Sequence, residues 1–194
     1  MCCMISFAIR ELRMYLIANN NKKDWIMKPQ DILVLLKICV MPEDKWSIFD
    51  LAESIYMSGS EVHAAVKRLE SSDFLFSRKP KIASVEEFVV HGLKYVYPPV
   101  IGKVCRGIPT AHSAPPLSNL IVSDKTDMLV WPCEFGTARG QSLKPLYVSV
   151  PSAVKNDSKL HELLALVDAI RAGRAREKEI AISELKKYLR PETK

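Results

Sequence analysis

Residues 46–81, WSIFDLAESIYMSGSEVHAAVKRLESSDFLFSRKPK, decide the fold, because two short amphipathic helices, a tight break, a basic helix face and a basic hairpin follow one another there. Ser47 is a fair N-cap, and Ile48, Leu51, Ala52 and Ile55 recur at helical spacing, giving a short helix with one buried face. Met57, Ser58 and Gly59 interrupt that pattern. Ser58 or Ser60 then caps a second helix whose apolar stripe is Val62, Ala65, Val66 and Leu69. Ser60, Glu61, His63, Ala64, Lys67 and Arg68 are expected on its outward side. Phe74, Leu75 and Phe76 read as the first strand of a hairpin, Arg78, Lys79 and Lys81 as cations of its tip, and Ile82 as the start of the return.

A recognition helix enters a major groove about 12 Å wide, with small polar side chains near its N-terminus approaching base edges and longer cations further along reaching phosphates. That requirement selects Ser58, Ser60, Glu61, His63, Ala64, Lys67 and Arg68 as candidate DNA contacts, with Lys67 and Arg68 on phosphates. Arg78, Lys79 and Lys81 form a second anchor on the backbone. The competing reading is a solvated charged face with no nucleic acid partner. Leu51 and Ala52, then Ser58, Ser60, Val62, Val66, Lys67, Arg68, Leu69 and Glu70, then Phe74 and Leu75, resemble winged-helix regulators of the MarR type. The resemblance covers residues 29–82, about a third of the chain, and implies a winged helix-turn-helix that binds double-stranded DNA. Asp73 departs from it, standing where such proteins usually carry Gly or a basic residue, and the wing is short.

Pro29 suits the first turn of a helix carrying Ile32, Leu33, Leu35, Leu36 and Val40, the first helix of that module. Before it, MISFAIRELRMYLIA places Ile5, Ile9, Leu12 and Leu16 on one side of an amphipathic helix, and Arg10, Glu11 and Arg13 argue against a secretory signal. That helix could pack on the module, serve a dimer interface or be dispensable; translation from Met27 would leave the module intact. After the wing, Ser84 and Glu87 have the form of a capping box for a helix through Val85, Phe88, Val89 and Leu93, ended by Pro98 and Pro99.

Eight of the 12 prolines fall in residues 98–151, so long helices are improbable there. Residues 128–131 read as a strand, 136–140 as a turn and 143–150 as a partner strand interrupted by Pro145. The run RGIPTAHSAPPLS, residues 106–118, resembles text in uncharacterised bacterial proteins that carry a winged helix in front, and implies no activity. Cys105, His112 and Cys133 lack a recognised metal or nucleophile spacing and read as structural. His91 and His161 fall on predicted helices, where a surface or interface histidine is expected. Asp157 or Ser158 caps a helix carrying Leu160, Leu163, Leu164, Val167 and Ile170, Gly173 stops it, and a second helix carries Ile180, Ala181, Leu185, Tyr188 and Leu189. Arg171, Arg174, Arg176 and Lys178 cluster at the junction, as a solvated face or a docking surface. The apolar stripes call for cover by the Pro-rich segment or by a second subunit.

The fold expected is mainly α with short β: an N-terminal helix and linker (1–27), a winged helix-turn-helix (28–97), and a Pro-rich segment with C-terminal helices (98–194). With 194 residues, a net charge of +6 and a pI near 9.0, the chain suits a polyanionic partner. Its five cysteines are an odd number without repeated spacing, which favours reduced thiols in a cytoplasm. No run is apolar enough to span a bilayer. The expectation is a cytoplasmic, sequence-specific DNA-binding regulator acting as a homodimer, with no cofactor, no metal and no enzymatic activity. The alternative is an adaptor or antitoxin that binds a partner protein and autoregulates its operon.

Overall fold

The computed structural model describes residues 26–41, 46–121 and 127–190. The expected helix bearing Ile5, Ile9, Leu12 and Leu16 lies outside them. Helix α1 (Pro29–Val40) opens with Pro29 at its first turn and Asp31 accepting from the Lys28 N–H at 2.7 Å. Residues 31–36 are all buried, because α1 is surrounded rather than laid on a surface. Helix α2 (Ile48–Ser54) begins at Ser47, whose hydroxyl accepts from the Asp50 N–H while the Asp50 carboxylate accepts from the Ser47 N–H. Helix α3 (Gly59–Ser71) begins at Ser58, which accepts from the Glu61 N–H and leaves Ser60 inside the first turn. Val62, Ala65, Val66 and Leu69 face the core as their spacing requires.

Both α2 and α3 end in the same way. The Met57 N–H reaches back to the Ala52 carbonyl and Tyr56 to Glu53; Phe74 reaches Leu69 and Asp73 reaches Glu70. In each pattern the residue just past the cap must be left-handed, and Tyr56 (φ 54°) and Asp73 (φ 62°) are. Glycine is the usual occupant, which accounts for Asp73 standing where glycine was expected.

Strands β1 (Leu75–Phe76) and β2 (Lys79–Pro80) pair antiparallel around Ser77 and Arg78, both at positive φ. The hairpin is shorter than the sequence suggests. Phe74 lies ahead of β1, and there is no return through Ile82: the Lys81 N–H closes on the Phe74 carbonyl and helix α4 (Ile82–Glu87) starts at once. Ser84 is therefore inside the first turn and not a cap. A π-helical turn (Phe88–Gly92), with the Phe88 ring lying over Gly92, leads into α5 (Leu93–Val96) before Pro98 and Pro99.

Strand β3 (Ile101–Thr110), which the sequence reading did not anticipate, organises the rest. It pairs antiparallel with both β4 (Leu129–Pro132) and β5 (Ala138–Leu143), and β4 and β5 meet in parallel, so three strands close on themselves. Closure needs glycine: a Cβ at Gly107 would overlap the Trp131 carbonyl, and one at Gly140 the Met128 carbonyl. The expected strand over 143–150 and turn over 136–140 are displaced. Residues 138–143 are the strand, and after Leu143 the chain leaves the sheet for the short helix α6 (Val150–Ala153), with Pro145 and Pro151 interrupting any ladder.

Helix α7 (Ser158–Ala172), capped by Asp157 and ended at Gly173, is buried from Leu163 to Arg171, and α8 (Ala175–Leu189) packs along it. Residues of α1, α3 and α7 belong to one hydrophobic core. The stripes of α7 are therefore covered by α1, β3 and α8 of the same chain. Asp168 is the polar centre of this packing: it accepts from Thr110 Oγ1 (3.1 Å), Trp131 Nε1 (2.7 Å) and Arg171 (2.7 Å). Burial pushes its carboxyl pKa upward against the opposing pull of Arg171. Arg171 also donates to the carbonyls of Tyr97 and Pro98, so it is a buried strut and not part of a surface cluster with Arg174, Arg176 and Lys178.

Candidate nucleic-acid interface

Helix α3 presents Ser58, Ser60, His63 and Lys67 as exposed residues, with Ala64 half-buried between them. The order along the helix is small and polar, then imidazole, then ammonium. Ser58 Oγ lies 3.2 Å from Ser60 Oγ and 3.2 Å from Glu61 Oε2, so the first turn is held by its own hydroxyls. Glu61 is half-buried and takes a hydrogen bond from the Tyr147 hydroxyl at 3.1 Å. Partial burial, and then the Glu61 carboxylate, raise the Tyr147 pKa, keeping that proton on the phenol.

Arg68 does not face outward. It is 5% exposed and donates through Nε and NH2 to both oxygens of Asp31, at 2.8 and 2.6 Å. Position 68 sits at the edge of the apolar stripe, three residues after Ala65, and the carboxylate on α1 draws the guanidinium inward. It clamps α1 to α3, so the expectation of Arg68 as an outward-facing phosphate contact is corrected. Lys67, its neighbour in sequence, is exposed and makes no ion pair among the described residues.

The hairpin cations differ among themselves. Arg78 folds back over the Trp46 ring, 4.1 Å from its centroid, and donates to the Trp46 carbonyl at 2.7 Å. Lys81 pairs with Asp73 and lies 5.8 Å from the Phe76 ring centroid. Lys79 is exposed at the start of β2. Tyr147 is a neighbour of this surface that the sequence does not announce. It lies 86 positions from Glu61 in the chain, a separation over which no local pattern carries a signal.

Cys105, His112 and Cys133 do not come together as a ligand set. His112 is buried with Nε2 2.9 Å from the Asp127 carbonyl and Nδ1 3.7 Å from Glu177, while Cys133 lies beside the backbone N–H groups of Gly136 and Ile108. Among the described residues no three His, Cys, Asp or Glu side chains form a metal site, and no helix is long and apolar enough to cross a membrane. Comparison with known proteins finds no family model, no curated protein and no solved structure that matches this chain.

Proposed function

We propose that the chain is a sequence-specific DNA-binding transcriptional regulator of the winged-helix type. On this reading α3 enters the major groove, with Ser60, Glu61, His63 and Ala64 toward base edges, Lys67 on a phosphate, and Arg78, Lys79 and Lys81 bringing the hairpin to the backbone. The observation that carries it is the exposure of Ser60, His63 and Lys67 along one side of a helix whose other side is fully packed. The net charge of +6 favours a polyanion, and a homodimer would match paired half-sites on DNA.

The test is fluorescence anisotropy of the full chain with duplex fragments across a salt series. Binding should weaken linearly in log–log form, and Lys67→Ala should flatten the slope by about 0.9. His63→Ala should relax base preference at one step while leaving the slope unchanged. A slope unaltered by Lys67→Ala, or no binding to any duplex at low salt, overturns the assignment.

A further inference from the structure

Between the end of α2 and the turn that precedes α7 lies a cleft of about 390 Å³, lined by Lys37, Glu53, Tyr56, Ser152, Asn156 and Asp157 among others. Its volume is within the range of small-molecule sites, about 300–1,000 Å³. Three observations bear on its chemistry. Lys37 and Asp157 neutralise each other at 2.7 Å, with Asp157 also capping α7, so both are committed. Glu53, exposed in the lining at the end of α2, makes no ion pair among the described residues and leaves the cleft one negative charge on a chain of net charge +6. Tyr56 holds the left-handed position past the α2 cap, a conformation that disfavours any L side chain. The residue is nonetheless 59% exposed, so core packing does not account for a tyrosine at a site that glycine would fill more cheaply.

We propose that this cleft binds a small primary alkylammonium ligand, its charge between the Glu53 carboxylate and the face of the Tyr56 ring, with the Asn156 and Ser152 side chains as further acceptors. An aromatic face and one uncommitted carboxylate recognise an ammonium group, and a neutral isostere lacks both attractions. The site is independent of the DNA-binding reading, since none of these residues belongs to the α3 surface.

The test is calorimetric titration of the full chain with 1,4-diaminobutane, and with 1,4-butanediol as the uncharged counterpart. The diamine should bind saturably and the diol should not. Glu53→Gln should weaken the diamine at least tenfold. Tyr56→Gly should weaken it similarly while raising the melting temperature of the free protein, which separates loss of the ring from loss of the fold. Equal responses to diamine and diol overturn the proposal, as does undiminished diamine binding in Glu53→Gln or in Tyr56→Gly.

Discussion

Asp31 and Asp168 are both buried and each is met by an arginine, yet they hold the molecule in different ways. Asp31 faces Arg68 across two helices, and its carboxylate also accepts from the Lys28 N–H at the exposed start of α1. Asp168 collects a hydroxyl, an indole and a guanidinium from β3, β4 and its own helix, and through Arg171 reaches the backbone that ends the first segment. The first pair is a clamp between elements that apolar packing already brings together. The second is a junction on which elements with little regular pairing converge. Helical periodicity can build a region almost alone, whereas a short, proline-interrupted one depends on a few polar hubs.

The largest effect should therefore follow removal of the junction. Asp168→Ala strands a buried guanidinium and should lower unfolding free energy by about 3–5 kcal/mol in urea titration. The pair replacement Asp168→Leu with Arg171→Met should not restore it. The Trp131 N–H and Thr110 hydroxyl would still lack an acceptor, at about 1–3 kcal/mol each. Recovery by that double variant would show that Asp168 is only a second clamp.

Arg68→Ala alone should also cost about 3–5 kcal/mol, because Asp31 keeps its buried charge. Here the apolar double replacement, Asp31→Leu with Arg68→Met, should return to within about 1 kcal/mol of the parent, since the buried charges leave together and the Lys28 N–H that bonds Asp31 belongs to an exposed residue. A double variant as unstable as the single one would erase the distinction between the two sites.

The same contrast explains what was legible in the sequence. Ser47, Ser58, Asp157 and Gly173 mark helix limits through bonds made within three or four residues, so α2, α3 and α7 could be placed from local text. Strand β3 could not, because its ten residues alternate poorly and its ladders join distant positions, from Thr110 with Leu129 to Ile101 with Leu143, where glycines permit the backbone contact. In the candidate interface, Ser60, His63 and Lys67 follow from helical phase. Arg68 lies where that phase is ambiguous, and its direction was set by a carboxylate 37 residues away. No property of residues 58–71 alone reveals that partner.

Adjacent positions 67 and 68 offer a sharper version of the comparison. Lys67→Ala should change stability by no more than about 0.5 kcal/mol, against the several lost at Arg68, because an exposed side chain without an ion pair contributes little to the fold. If the proposed function holds, its consequence appears in the salt dependence of duplex binding instead. A melting temperature that falls as far in Lys67→Ala as in Arg68→Ala would mean that both side chains serve the fold.

The smallest expected effect lies at the start of α2. The Asp50 carboxylate accepts from the Ser47 hydroxyl at 2.6 Å and from its N–H at 3.1 Å, and these bonds, the hydroxyl's first, hold its pKa below the ordinary carboxylate range. A carboxyl whose folded pKa is depressed contributes stability above its unfolded pKa and loses it as pH falls through the folded one. Asp50→Asn keeps the Ser47 hydroxyl on the backbone N–H of position 50 and removes only the titrating part. The parent should therefore melt above Asp50→Asn at pH 7, and the two curves should converge as pH falls toward 3. A gap that stays constant across that interval would mean that the capping contact acts through geometry alone and that the carboxylate charge adds nothing to it.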